Sequence, residues 1–216
     1  MEKLKALIFD LDGTLGDTLP LCIKAFRHAI EPLIQRTISD AEIIATFGPS
    51  EEGTIQALAP DHYEKGVADY LHYYEHFHDL CPTPFTGIRD LLDSLRRRGV
   101  RLAMVTGKGV HSTAISLKRF QLEDYFELVE TGWAAGPRKP ACLQKVIQTF
   151  ADIQKEEMVY VGDSPSDIES SRSVGLPVVG AAWASTTNSK ELAESQPDEL
   201  FDAITVFADW VAAKTS

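Results

Sequence analysis

Four short apolar runs, Leu4–Phe9, Val100–Thr106, Met158–Gly162 and Leu176–Gly180, constrain this chain more than any other feature of its sequence. The first stops at the acidic, glycine-containing turn Asp10-Leu11-Asp12-Gly13, and the same grammar recurs along the chain. Runs of this length without polar alternation read as strands covered on both faces. Before each of the last three lies a helical pattern: Ile88, Leu91, Leu92 and Leu95; then Cys142, Val146, Ile147 and Phe150; then Ile168 to Val174. Strands alternating with helices predict an α/β fold, a Rossmann-like parallel sheet with helices on both faces. A fifth strand is expected near Phe126–Glu130.

From Gly16 to Thr83 the rhythm breaks. Leu19, Cys22, Phe26, Ala29, Ile30 and Leu33 fall on one helical face, a second helix follows Ser39-Asp40, and a third covers the stretch around Tyr70. Gly16 opens the interval and Cys81-Pro82-Thr83-Pro84 closes it, as two crossings between an inserted unit and its host would. The expected organisation is a core of residues 1–15 and 84–216 with an α-helical cap of residues 16–83.

Charge narrows the function. Among 216 residues, 21 Lys and Arg face 32 Asp and Glu, a formal charge of −11, which argues against nucleic-acid binding and adhesion to anionic membranes. An anionic small-molecule substrate stays open, because a few cations or a metal can invert the field inside a cleft. Cys22, Cys81 and Cys142 are too scattered for a disulfide framework or a Cys-x-x-Cys site, and read as buried thiols of a reduced compartment. The run Ala6–Phe9 is cut by Asp10 and the run Val174–Ala184 is too short to span a bilayer, so the expected location is cytoplasmic. Oligomeric state has no signature in the sequence.

Residues with chemical potential gather at the ends of the apolar runs, where ligands bind in open α/β sheets. Asp10 and Asp12 point to the same side if the chain stays extended for two more residues. Thr106-Gly107-Lys108-Gly109 offers a hydroxyl and backbone amides to an anion. Lys139 precedes Pro140 at a helix start. Gly162-Asp163-Ser164-Pro165-Ser166-Asp167 adds two carboxylates, of which Asp167 could equally cap the following helix.

In this order the four segments resemble the motifs of the haloacid dehalogenase superfamily, in its phosphatase branch with a small helical cap between the first two motifs. The resemblance spans essentially the whole chain and looks phosphoglycolate-phosphatase-like. It implies a phosphatase for a small phosphorylated metabolite, with Asp10 as nucleophile and Asp12 as general acid and base. It further implies Mg²⁺ held by Asp10, the backbone carbonyl of Asp12 and Asp163, with Asp167 in support. Thr106, Gly107 and Lys139 would hold the phosphoryl oxygens. Phe47, Gly48 and Ser50, within Thr46–Gly53, resemble a substrate-facing loop of the cap.

Two positions depart from the family pattern: Arg138 stands where glycine is frequent, and Gly16 where a β-branched residue is usual. Gly16 is expected to act as a permissive hinge. The enzymatic rival is a β-phosphoglucomutase-like phosphosugar mutase, which uses the same motifs; a catalytically silent binding domain is the other alternative. His72-Tyr73-Tyr74-Glu75-His76 imitates the His-x-x-Glu-His pattern of some zinc peptidases, but falls in the cap without a third ligand, and reads as a solvated helix.

Overall fold

The computed structural model, which describes residues 3–215, turns the apolar runs into a wholly parallel sheet. Its strands are β1 (Ala6–Phe9), β2 (Arg101–Val105), β3 (Leu128–Glu130), β4 (Met158–Gly162), β5 (Val178–Ala181) and β6 (Glu199–Phe201), in the order β3-β2-β1-β4-β5-β6. Side chains alternate across a strand, and the run in β1 is uniformly apolar because both faces are covered. Leu7 and Phe9 join Met104 and Val161 in one core layer, under Leu92 of α5 (Ile88–Arg97), Phe120 of α6 (Val110–Phe120) and Phe207 of α10 (Ile204–Lys214). Ala6 and Ile8 join Val105 and Tyr160 in the other, under Leu143 of α7 (Lys139–Thr149), Ile168 of α8 (Pro165–Ser173) and Leu192 of α9 (Ser189–Glu194).

Between β1 and α5 lie four more helices, α1 (Leu19–Ile34), α2 (Asp40–Ile44), α3 (Glu51–Leu58) and α4 (Tyr63–His76). They share a third apolar cluster built on Leu21, Phe26, Ile30, Ile43, Ile55 and Tyr70. The Phe26 and Tyr70 rings, 4.3 Å apart, tie α1 to α4. Ser39 starts α2 through a reciprocal capping box with Glu42, which is why Ser39-Asp40 was a readable boundary.

Several boundaries differ from the sequence reading. β1 and β5 each begin two residues later than their apolar runs. Helix α8 begins at Pro165 rather than Ile168, because Ser164 and Asp167 cap each other's backbone and proline suits the first turn. The stretch Thr46–Gly53 is a loop only as far as Ser50; Glu51 opens α3. No helix among the described residues is long and apolar enough to cross a membrane.

The topology already marks a place for a site. From β1 the chain builds outward to β2 and β3, then crosses to β4 on the other side of β1 and builds outward again. The crevice beyond the carboxyl ends of β1 and β4 is therefore the topological switch point, where open α/β sheets bind ligands.

Candidate active site

Asp10 follows β1 directly and is 5% exposed. Its amide donates to the carbonyl of Val161 at 2.9 Å, which carries the sheet register one residue beyond the strand. The Leu11 amide donates to Oδ1 at 2.7 Å and fixes the rotation of the carboxylate. Oδ2 accepts from Lys139 Nζ at 2.6 Å. Lys139 opens α7, with Pro140 behind it, so the ammonium comes from a backbone set by the helix start.

The same ammonium donates to Asp167 Oδ1 at 2.5 Å. Asp167 is fully buried in the first turn of α8 and is held from three further sides. Tyr160 OH donates to Oδ1 at 2.8 Å, while Ser164 donates its hydroxyl and its amide to Oδ2 at 2.7 and 3.1 Å. Both sequence readings of Asp167, helix cap and site carboxylate, describe the same side chain. Asp163, at the end of β4, accepts from Thr187 Oγ1 at 3.2 Å. Gly13, at φ +72°, allows this approach: a Cβ there would strike the Asp163 carboxylate.

Electrostatics separates these acids. Burial pushes the Asp10 carboxyl up to about 7 against the pull of Lys139, with repulsion from Asp167 adding to the rise. Burial, then repulsion from Asp167 and Asp10, raises Asp163 well above the carboxylate range. For Asp167 burial acts upward too, but the Lys139 charge and its hydrogen-bond donors prevail and hold it below the usual value. Lys139 is raised, because attraction to Asp10 and Asp167 outweighs the cost of burying it.

Oxygens of Asp10, Asp163 and Asp167 all lie within 4.8 Å of one another. Three carboxylates against one ammonium leave an excess of negative charge on hard oxygen donors, which is the donor set that suits Mg²⁺. Asp167 accepts two protein hydrogen bonds on each oxygen, against one on each oxygen of Asp10 and one on Asp163, so of the three, Asp163 and then Asp10 are the freer ligands.

Thr106 follows β2 directly, its amide donating to the Glu130 carbonyl at 3.0 Å and its hydroxyl accepting from the Lys108 amide at 3.2 Å. A Cβ on Gly107 would stand 3.8 Å from Lys139 Cε, so this turn and the lysine lie side by side. Asp12 points away from Asp10's lysine: Oδ1 accepts from Thr18 Oγ1 and lies 3.2 Å from Lys108 Nζ.

A cavity of about 360 Å³ joins these groups, lined by Asp10, Asp12, Thr106, Gly107, Lys139 and Asp163 on one side. Leu19, Phe26, Phe47 and Gly48 face them from the helical segment, and Arg138 reaches the rim. Ser50 corrects the sequence reading: it does not line the cavity but is buried, its amide donating to Trp133 O at 3.0 Å and its hydroxyl to Glu52. His72 and His76 lie on the exposed face of α4 with rings stacked 6.2 Å apart, away from the carboxylates. Tyr160, Thr187 and Glu51 were not singled out from sequence, since each gains its partner only through the fold.

The family model for haloacid dehalogenase-like hydrolases matches residues 7–181. The pyrophosphatase PpaX of Bacillus pumilus is 32% identical over 199 residues, covering 91% of each chain. That of Anoxybacillus flavithermus is 28% identical over 210 residues, 93% of each chain. Among solved structures, a predicted phosphoglycolate phosphatase from Haemophilus somnus 129PT matches with TM-score 0.79 at 24% identity over 99% of both chains. CbbY from Rhodobacter sphaeroides in complex with phosphate matches with TM-score 0.78 at 20% identity, over 93% of this chain and 94% of that one. At these identities the two structures speak for the fold.

Proposed function

The chain belongs to the haloacid dehalogenase-like hydrolases, and from that membership we propose that it is a Mg²⁺-dependent phosphatase that hydrolyses a small phosphomonoester through a phosphorylated Asp10. The observation that carries this reading is the Lys139 ammonium seated between the buried Asp10 and Asp167 carboxylates at the switch point of the sheet.

Asp10 is the nucleophile. With Oδ1 tethered to the Leu11 amide, the carboxylate faces the cavity in one orientation, which removes a rotation that attack would otherwise have to freeze. Attack forms an Asp10–phosphorus bond and breaks the bond to the leaving oxygen, which takes its proton from Asp12. A water then attacks the phosphoryl group, gives a proton to Asp12, and inorganic phosphate departs as Asp10 is restored. Lys139, Thr106 and the Gly107 amide hold the phosphoryl oxygens throughout. Asp10, Asp163 and the Asp12 carbonyl would hold Mg²⁺, supported by Asp167. When bound, the ion neutralises carboxylates and phosphoryl oxygens that would otherwise repel each other. Residues 16–83 act as a cap, placing Phe47 and Gly48 over the cavity to exclude water and read the leaving group.

Release of phosphate from p-nitrophenyl phosphate, inorganic pyrophosphate, phosphoglycolate and a set of sugar phosphates, with Mg²⁺ and with a chelator, tests the proposal. Turnover that needs Mg²⁺ and vanishes in Asp10→Asn supports it. Interconversion of sugar phosphate isomers without net phosphate release would replace it with the mutase reading.

A further inference from the structure

Beside the phosphoryl site lies a buried ion pair, Lys108 and Glu51, to which none of the roles above is assigned. Lys108 leaves the Thr106-Gly107 turn with its side chain 2% exposed. Its Nζ lies 3.2 Å from Asp12 Oδ1, 3.3 Å from Glu51 Oε1 and 3.2 Å from Cys22 Sγ, and 4.6 Å from the centre of the Tyr74 ring.

Glu51 is the unexpected partner. It comes from the first turn of α3, in the helical segment, yet its carboxylate is spent on the sheet domain's α6. Oε2 accepts from the Gly109 amide and Oε1 from the Ser112 hydroxyl, each at 2.5 Å, and Tyr70 OH stands 3.4 Å from Oε1. A carboxylate at a helix N-terminus is favourable on its own account. Here it also stands against the one cation among the described residues that pairs with Asp12. Charge-assisted hydrogen bonds from Gly109 and Ser112 fix the Glu51 carboxylate, and the ion pair at 3.3 Å draws the Lys108 ammonium toward that fixed point.

We propose that Glu51 is a positioning residue by which the helical cap, through Lys108, sets the orientation of Asp12 for proton transfer to the leaving oxygen. The inference rests on the phosphatase reading and on the role of Asp12 within it. Glu51 does not touch the phosphoryl group; it holds Lys108 against Asp12 only when α3 is seated on α6. Attack by Asp10, whose supports are Leu11 and Lys139, is left untouched.

Leaving-group dependence separates this role from a structural one. Ethyl phosphate needs a proton on its departing oxygen, whereas p-nitrophenolate leaves without one. Glu51→Gln keeps the shape of the side chain while removing its charge. In the full-length enzyme with Mg²⁺, we expect Glu51→Gln to lower kcat/KM for ethyl phosphate by about a hundredfold and for p-nitrophenyl phosphate by less than about tenfold. Lys108→Met should show the same split, and Glu51→Gln/Lys108→Met should lose no more than Lys108→Met alone, since the two act through one another. Thermal melts of all three variants keep misfolding apart from misalignment. Equal losses on the two esters, or additive losses in the double variant, would overturn the proposal and leave Glu51 as a prop between helices. Wild-type enzyme that turns over neither ester would instead overturn the phosphatase reading, and this inference with it.

Discussion

Lys139 Nζ lies 2.6 Å from Oδ2 of Asp10, a contact between residues 129 positions apart in the chain. The ammonium is part of the fold, since it also pairs with Asp167 inside the protein. Removing one partner of a buried ion pair typically costs about 3–5 kcal/mol, because the other charge is stranded. Lys139→Ala should therefore lower the melting temperature of the metal-free protein at neutral pH and reduce kcat/KM by about a thousandfold. Added Mg²⁺ should recover part of the stability and none of the rate. A variant with unchanged melting and less than tenfold loss of activity would show that Arg138, at the cavity rim, carries the phosphoryl group instead.

Tyr160 is a more surprising contributor. It stands inside the apolar run of β4 and is fully buried, but its hydroxyl donates to Asp167 Oδ1 at 2.8 Å. Tyr160→Phe keeps the ring and deletes that donor. A hydrogen bond to a charged group is worth about 1.5–3 kcal/mol, so a clear fall in melting temperature is expected. Activity should fall too, because Asp167 then leans harder on Lys139 and draws it from Asp10. Loss of stability with unaltered kcat would confine Tyr160 to packing.

How far the sequence could carry the reader depends on where each partner lies. The strands were legible because a segment buried on both faces must be apolar along its length, and Ala6–Phe9 and Met158–Gly162 satisfy that with local residues alone. Asp10, Asp12, Asp163 and Asp167 could be singled out because they follow such segments, and Lys139 because Pro140 marks a helix start. Glu51 was not legible: it lay unremarked within Thr46–Gly53, expected as a substrate-facing loop, and the groups that bury it, Gly109 and Ser112, are 58 and 61 positions away. Lys108 is the mirror case, a turn lysine whose counter-charge arrives from another helix. Strand β6 left no trace, since three residues at a sheet edge, with Glu199 and Phe201 partly buried and Leu200 exposed, carry no usable period.

His78 gives the protein a pH-dependent joint. The ring is 1% exposed, edge-on to Tyr74 and Phe120 at 5.5 Å each, with Nε2 at 3.0 Å from Ser116 Oγ. Burial, helped by the charges of Arg119 and Lys108, holds its pKa below the ordinary 6.5. The unfolded chain then binds the proton at a higher pH than the folded one. Stability from this group is complete above about pH 6.5 and is lost as pH falls toward the lower folded value. Melting temperatures between pH 7.5 and 5 should decline in the wild type and decline less in His78→Gln. Parallel curves for the two proteins would remove His78 from the account.

Gly16, expected from sequence as a permissive hinge, has a second reason to be glycine. Its φ lies outside the left-handed region, its amide donates to Leu11 O at 3.2 Å, and its carbonyl accepts from Gly13 at 2.9 Å, so the backbone is pinned rather than free. What requires glycine is space: a Cβ there would lie 2.6 Å from Phe120 Cζ and 2.8 Å from Cε2, inside a core layer with no room to yield. Gly16→Val should thus behave as overpacking, costing about 1–3 kcal/mol, and should displace the Asp10–Asp12 loop. Turnover of a small aryl phosphate and of a larger, cap-dependent ester should fall alike, whereas a stiffened hinge would penalise the larger ester more. Phe120→Leu removes the ring edge that the introduced side chain would strike. The double variant should then be more stable than the sum of the two single losses, an interaction of about 0.5–3 kcal/mol for residues in contact. Strict additivity, together with a selective loss on the larger ester, would restore the hinge and discard the collision.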